Sequence, residues 1–324
     1  MRLVLFIFLI LAPGSVLQAA KQAADGPSRS PNILVILSDD IGAHEIGLSG
    51  HKVHKTPVLD GLGRTGIWFT TGYSTPICHP TRFQIMTGQY AHHNGNFHFP
   101  GRPGGPEKAN VGQNNIASHL TFGKIFQEAG YATAHAGKWQ LSGEHPTLIR
   151  ECGFDEYCMW AYRHNLPEGV QHDGAWEGKA GGKTCRYWHP SVVQNGKYLD
   201  TGDDDYGPDI YSDFILDFVG RNKDKPFFVY YPMALTHGQF FTTPDTTKTV
   251  EDRFVHDKKK NWQGNVEYTD KIMGKLLRGL EELGEREDTL VFFMGDNGTG
   301  GNGKGQTTEM GCRVPFIVHG PGLV

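Results

Sequence analysis

The sequence predicts an α/β fold in which a mostly parallel central sheet is covered by helices on both faces. Short apolar, β-branched runs alternate along the chain with segments whose apolar residues recur every three or four positions. The apolar runs lack polar alternation, which is typical of parallel strands buried on both faces. Of the 324 residues, 38% are hydrophobic and 20% are charged, a balance that allows a sizeable core. Strands alternating with helices then favour a layered α/β arrangement.

The first 30 residues differ from the rest of the chain. Arg2 precedes the apolar run Leu3–Ala12, and small residues follow it. This pattern predicts a signal peptide over residues 1–20, cleaved near residues 19–24, and a linker over residues 21–30. The run is too short to span a membrane comfortably, so we expect no stable membrane anchor. The protein is therefore expected to be exported, to a periplasmic, secreted or lumenal location.

The predicted elements follow from apolar periodicity and from capping signals. The strands are predicted at Asn32–Leu37, Ile67–Thr70, Tyr131–Ala136, Phe227–Met233, Thr289–Gly295 and Val314–His319. The helices are predicted at Thr56–Thr65, Cys78–Thr87, Ser118–Ala129, Asp209–Arg221 and Asn261–Leu283. The third helix should bury Leu120, Ile125 and Phe126 on one face. Residues 89–116 and 141–208 lack periodicity, and long loops of this kind usually shape a substrate site.

Pairs of oxygen-bearing side chains follow two of the predicted core strands. Asp39 and Asp40 come directly after the first strand, and Asp296 and Asn297 follow the fifth. Ligands of open α/β sheets bind outside the carboxyl ends of the strands. Neighbouring carboxylates repel each other unless a cation neutralises them, and hard oxygen ligands favour Ca²⁺ or Mg²⁺. The alternative for Asp39 and Asp40 is a helix N-cap or a turn, which would explain one of the two aspartates but not both.

Cationic groups lie near the ends of other strands. Lys138 follows the third strand, His237 follows the fourth, and Lys304 lies in a glycine-rich loop after the fifth. A lysine beside an anionic substrate would bind it by electrostatic attraction. Each of these residues alone also fits a solvated loop. The formal net charge of −4 predicts neither nucleic-acid binding nor a polybasic membrane surface.

The stretch from Pro76 to Gly88 contains a cysteine at a predicted helix start. Pro80 suits the first helical turn, and Arg82 lies one turn after Cys78. A cysteine at such a position can bind an anion or act as a nucleophile, and it can equally be a small buried side chain. Four further cysteines could pair in three ways, and the sequence leaves their pairing open. They are Cys152, Cys158, Cys185 and Cys312.

This stretch also matches, at every fixed position, the Cys-x-Pro-x-Arg-x4-Thr-Gly signature of type I sulfatases, an arylsulfatase-like family. Gly137-Lys138-Trp139 and Gly295-Asp296-Asn297-Gly298 resemble further segments of that family. The resemblance covers roughly residues 31–322. It implies an alkaline-phosphatase-like fold in which residues 31–324 form a sulfatase catalytic domain. The family continues into a smaller C-terminal subdomain, which we expect this chain to lack.

The resemblance also implies the role of each site residue. Cys78 would be oxidised by a formylglycine-generating enzyme to formylglycine, whose hydrated aldehyde is the nucleophile. Ca²⁺ or Mg²⁺ would be held by Asp39, Asp40, Asp296, Asn297 and the group derived from Cys78. Arg82 would support the hydrate, Lys138 and Lys304 would bind the sulfate, and His237 would protonate the departing alcohol. The substrate would be a small-molecule or glycan sulfate ester.

One position departs from the family pattern. Gln140 stands where the family usually has a histidine that assists sulfate release, and glutamine cannot accept a proton at neutral pH. We therefore expect slower release, or a substitute base. The alternatives to a sulfatase are a formylglycine-dependent phosphate or phosphonate monoester hydrolase, and a non-catalytic binder of sulfated glycans.

Overall fold

A single sheet of nine strands runs through the described part of the chain. The computed structural model describes residues 30–98, 115–141, 148–160 and 186–323, so the predicted signal peptide lies outside the described residues. The strands are β1 (Asn32–Ser38), β2 (Ile67–Trp68), β3 (Ala132–Gly137), β4 (Glu156–Trp160), β5 (Val192–Gln194), β6 (Lys197–Tyr198), β7 (Phe227–Pro232), β8 (Thr289–Gly295) and β9 (Phe316–His319). Their order in the sheet is β2-β9-β8-β1-β7-β3-β4-β5-β6.

The centre of the sheet is parallel and its edges are antiparallel. The strands β8, β1, β7, β3 and β4 pair in parallel, as their continuous apolar sequences predict. Antiparallel pairs add β9 and β2 at one edge and β5 and β6 at the other. The predicted mostly parallel sheet is therefore confirmed. Three strands lie within residues 141–208, which carried no sequence pattern: β4, which pairs in parallel with β3, and β5 and β6 at the edge.

Helices cover both faces, as predicted. They are α1 (Pro57–Thr65), α2 (Cys78–Thr87), α3 (Ala91–Asn94), α4 (Phe122–Glu128), α5 (Leu148–Glu151), α6 (Gly207–Arg221), α7 (Lys258–Glu282) and α8 (Glu309–Cys312). Alternate residues of one strand enter different cores, because successive side chains point to opposite faces. In β7, Val229 packs with α1, α6 and α7, whereas Phe228 and Tyr230 pack with α2 and α4.

The helix predicted over Ser118–Ala129 is shorter than expected, and of its predicted apolar face only Phe126 packs against the core. Thr121 caps the helix by accepting a hydrogen bond from the Lys124 N–H, so α4 begins at Phe122. As a result Leu120 is 61% exposed and Ile125 is 48% exposed. Phe122 packs against the core in their place.

The described cysteines and helices bear on the predictions about disulfides and membrane anchoring. Cys78, Cys152, Cys158 and Cys312 are free thiols, and Cys185 lies outside the described residues. Among the described residues, no helix combines the length and the apolar character needed to cross a membrane.

Candidate active site

The four predicted oxygen ligands meet at one edge of the sheet. β1 and β8 are parallel neighbours, with Ser38 opposite Gly295, so the residues that follow them are brought together. Asp39, Asp40, Asp296 and Asn297 are all buried. The Asp40 N–H donates to Asp296 Oδ1 at 3.0 Å, and Asn297 Nδ2 donates to Asp40 Oδ1 at 2.8 Å. We call these four residues the strand-end cluster.

Two oxygen atoms of this cluster have no hydrogen-bond donor among the described residues. They are Asp39 Oδ1 and Asn297 Oδ1, and both are buried. Buried polar atoms are almost always paired, so unpaired oxygens among carboxylates indicate a place for a ligand. Single ligand atoms of Asp39, Cys78 and Asp296 lie within 4.8 Å of one another. The carboxylate and amide oxygens of the strand-end cluster are hard donors, which fit a divalent cation such as Ca²⁺.

Cys78 is the first residue of α2, as the sequence predicted. Its side chain is fully buried. The helix ends at Thr87, and Gly88 caps it with a φ of 66°, a left-handed conformation that favours glycine. Burial raises the pKa of the Cys78 thiol, although Lys138 and Lys304 act in the opposite direction. The thiol is therefore protonated at neutral pH and is a poor nucleophile.

Arg82 joins α2 to the strand-end cluster from a fully buried position. Its Nε and Nη2 donate to Asp296 Oδ2 at 3.0 and 2.8 Å, and its Nη1 donates to the Lys138 carbonyl at 3.2 Å. The two bonds to one carboxylate oxygen are charge-assisted and therefore strong. Arg82 thus fixes the helix start relative to β8 and to the end of β3.

The predicted cationic residues also reach the cluster. Lys138 Nζ donates to Asp39 Oδ2 at 2.5 Å, and Lys304 Nζ donates to Asp40 Oδ1 at 2.6 Å. His237 Nε2 lies 3.8 Å from Asp40 Oδ2. The structure therefore brings together every side chain that the sequence predicted for the site.

The three carboxylates differ in their electrostatic surroundings. Burial alone would raise the pKa of Asp39, but Lys138, His237 and Arg82 outweigh it and hold that pKa well below its usual value. Burial and the neighbouring Asp39 raise the pKa of Asp40, and they raise the pKa of Asp296 to about 7. Repulsion between buried carboxylates is the kind of strain that a bound divalent cation relieves.

Gln140 lies two residues after Lys138, with a φ of 57°. Its backbone carbonyl is 3.0 Å from His79 Nδ1. Its side-chain Oε1 is buried and has no donor among the described residues. The position therefore carries an acceptor and no ionisable group.

Arg186 is a site residue that the sequence did not reveal. It is buried, and its Nη1 lies 3.9 Å from Asp39 Oδ2. The residue lies in the stretch without periodicity, and a single arginine there gives no sequence signal. Only the fold places it beside the strand-end cluster.

Comparisons with known proteins find similarity over most of the chain. A sequence model described as Sulfatase matches residues 31–324. N-acetylgalactosamine-6-sulfatase of Canis lupus familiaris is 30% identical over 341 residues, which cover 95% of this chain and 60% of the relative. The arylsulfatase of Hemicentrotus pulcherrimus is 27% identical and covers 92% of this chain. The chain thus spans about 60% of the length of the first of these relatives.

A solved structure resembles the fold at a similar level of identity. It is that of Ps i-CgsB in complex with k-i-k-neocarrahexaose, with a TM-score of 0.71 and 30% sequence identity. The similarity covers 91% of this chain and 66% of that protein.

Proposed function

The chain belongs to the sulfatase family, and from this premise we propose that it hydrolyses a sulfate monoester at the strand-end cluster. The observation that carries the proposal is the meeting of Cys78 and the four oxygen-bearing residues with Lys138, Lys304 and His237 at one edge of the sheet. These groups come from six separate segments of the chain. Each alone has a structural explanation, whereas their convergence matches the chemistry of an anionic ester.

We propose that Ca²⁺, or Mg²⁺, is bound by Asp39, Asp40, Asp296 and Asn297. The unpaired Asp39 Oδ1 and Asn297 Oδ1 support this assignment, since each has a lone pair free for a ligand. The raised pKa values of Asp40 and Asp296 support it too, because they reflect burial together with the nearby charge of Asp39. A bound cation would stabilise negative charge on the sulfate oxygens.

We propose that Cys78 is the precursor of formylglycine. The hydrated aldehyde would supply a hydroxyl nucleophile, which a protonated, buried thiol does not provide. Because Cys78 is 0% exposed in the folded chain, a formylglycine-generating enzyme would have to reach it before folding is complete. The proposed enzyme is thus matured by a partner that acts on an unfolded segment.

The remaining residues would bind the sulfate and manage protons. Lys138 and Lys304 are each held by an aspartate, so their ammonium groups are already oriented for a sulfate oxygen. Burial and Arg186 lower the pKa of His237 well below its usual value. His237 would therefore take up its proton as the anionic ester binds beside it, and then donate that proton to the leaving oxygen.

We further propose a glycan sulfate ester as the substrate of an exported enzyme. N-acetylgalactosamine-6-sulfatase is among the relatives, and a similar structure contains k-i-k-neocarrahexaose. Residues 31–324 would form the catalytic domain, preceded by the signal peptide expected over residues 1–20. A small-molecule sulfate ester is the other substrate class that the site would accept.

The test compares turnover of 4-nitrophenyl sulfate, phosphate and phenylphosphonate by protein made in a host able to form formylglycine. We expect the sulfate to be the best substrate and Cys78→Ala to abolish its turnover. Cys152→Ala is the matched control, because that buried thiol lies in the core away from the site and its loss should leave turnover unchanged. Faster turnover of the phosphate or the phosphonate would favour the alternative hydrolase. Sulfated-glycan binding without turnover would favour a non-catalytic binder.

A further inference from the structure

Arg186 is a buried arginine whose hydrogen-bonding capacity is incompletely used. Its relative exposure is 8%. Among the described residues, neither its Nε nor its Nη1 has an acceptor. Removing a guanidinium from water without pairing its N–H groups costs free energy, so such a side chain usually faces a ligand.

The orientation of Arg186 is fixed without its N–H groups. Its guanidinium carbon lies 4.1 Å from the centre of the Trp160 ring, at the end of β4. Stacking on an aromatic face holds the plane of an arginine and leaves the donors at its edge available. The following residue, Tyr187, donates its hydroxyl to the carbonyls of Ala234 and His237. This pairing ties the Arg186 segment to the loop that carries His237.

Asp39 does not satisfy Arg186. The Nη1–Oδ2 distance of 3.9 Å is too long for a hydrogen bond, and the same oxygen already accepts from Lys138 at 2.5 Å. Across the site, four cationic side chains face three carboxylates. The cations are Arg82, Lys138, Arg186 and Lys304, and the carboxylates are Asp39, Asp40 and Asp296. The cluster therefore has a positive excess even before a divalent cation is considered, and that excess suits an anionic ligand.

We propose that Arg186 is a substrate-binding residue whose Nη1, the donor nearest to Asp39, donates to an oxygen of the scissile sulfate group. This inference rests on the proposed function. A guanidinium is always charged and makes strong, charge-assisted hydrogen bonds to the oxygens of an anion. The position within 4 Å of Asp39 assigns Nη1 to the scissile group, since a second anionic group on the same sugar would lie farther from the strand-end cluster.

The test measures binding of inorganic sulfate by calorimetry, alongside KM and kcat for 4-nitrophenyl sulfate. We expect Arg186→Gln to weaken sulfate binding and to raise KM by about ten- to a hundredfold, the range expected for losing hydrogen bonds to a charged group. Arg186→Lys keeps the charge but loses the planar guanidinium that stacks on Trp160 and directs Nη1, so it should give an intermediate value. Arg221→Gln is the control, because Arg221 pairs with Glu156 at the surface, and it should change neither quantity.

Three results would overturn the inference. In the first, folded Arg186→Gln protein binds sulfate and turns over 4-nitrophenyl sulfate as the wild type does. In the second, turnover falls only for a glycan with a second anionic group, which would assign the arginine to that group. In the third, the variants lose thermal stability while the surviving Arg186→Lys protein binds sulfate normally, which would indicate a structural role. Calorimetry of sulfate binding needs no turnover, so it judges Arg186 even if the proposed activity fails.

Discussion

Among the described residues, two groups of acidic and histidine side chains lie close enough together to hold a metal ion, but their oxygen atoms are used differently. One contains Asp39 and Asp40 of the strand-end cluster with His237, and the other contains Glu45, His51 and His54. In the second group, which we call the Glu45 cluster, both carboxylate oxygens have partners. Oε1 accepts from Thr299 at 2.7 Å, and Oε2 accepts from Trp262 at 3.0 Å.

The pKa values of the acids show the same difference. Burial raises the pKa of Glu45, but hydrogen bonds from His44, Trp262 and Thr299 outweigh burial and lower it to about 2. In the strand-end cluster, burial and like charge raise the pKa of Asp296 to about 7. Proximity of acids and histidines is therefore a weak indicator of a metal site. Unpaired oxygens and mutual repulsion indicate a ligand site, whereas fully paired oxygens indicate a structural one.

The largest expected effect comes from removing one charged oxygen of the strand-end cluster. Asp39→Asn should lower kcat/KM for a sulfate ester by about a thousandfold or more, at least the cost of losing one donor to a developing anion. It should also weaken Ca²⁺ binding by more than about a hundredfold, the upper cost of losing an outer-shell partner. Calorimetry with Ca²⁺ and steady-state kinetics check the two effects.

Glu45→Gln provides the matched comparison in the same two assays. We expect Glu45→Gln to bind Ca²⁺ and to turn over the sulfate ester much as the wild type does. If Glu45→Gln loses Ca²⁺ binding and Asp39→Asn keeps it, the distinction between the two clusters is wrong.

The side chain of Gln140 should limit the rate of turnover at the strand-end cluster. Its buried Oε1 has no donor among the described residues, and its amide cannot accept a proton. We expect the wild type to release 4-nitrophenol in a burst followed by a slow steady state. Gln140→His should raise the steady-state rate by about a hundredfold, the lower end of the contribution of a general base. A wild type without a burst, and a variant without a gain, would contradict this role.

A bound cation should also stabilise the folded chain. Ca²⁺ at about a hundred times its dissociation constant should add about 2.7 kcal/mol to the free energy of unfolding. Thermal unfolding with Ca²⁺ and with a chelator measures this difference in the wild type and in Asp39→Asn. The stabilisation should disappear in Asp39→Asn and persist in Glu45→Gln. Equal stabilisation of all three proteins would place the cation elsewhere.

The smallest expected effect is on stability at the Glu45 cluster. Glu45→Gln should lower the free energy of unfolding by about 1–3 kcal/mol, the cost of disturbing a buried hydrogen-bonded charge. Because the folded-state pKa is lowered to about 2, the contribution of Glu45 is present above about pH 4.5. It is lost as the pH falls through about 2. Urea unfolding of both proteins at several pH values should show the difference shrinking in acid, and a constant difference would contradict the assigned pKa.

The sequence predicted the centre of the fold better than its edges. Continuous apolar runs located β1, β3, β7 and β8 within one or two residues, because strands buried on both faces need such runs. The strands β5 and β6 have only three and two residues, and pairing with neighbours decides whether such short segments become strands. The helix before β3 was misjudged because the Thr121 cap moved its start.

The same reasoning applies to the site. Asp39 and Asp296 could be predicted to meet because they follow parallel strands of one sheet, whose carboxyl ends share an edge. Arg186 could not be predicted, because its position depends on the packing of an unpatterned segment against Trp160. The pairing state of Asp39 Oδ1 and Asn297 Oδ1 also depends on the folded geometry, and it is this pairing that separates the two clusters.

The proposed nucleophile derives from Cys78. The mass of the tryptic peptide spanning residues 65–82, from active protein made in a host able to modify the cysteine, tests this directly. We expect a peptide that has lost the Cys78 sulfur and that reacts with an aminooxy reagent as an aldehyde does. If the peptide keeps its sulfur and the protein still cleaves sulfate esters, Cys78 is not the precursor of the nucleophile.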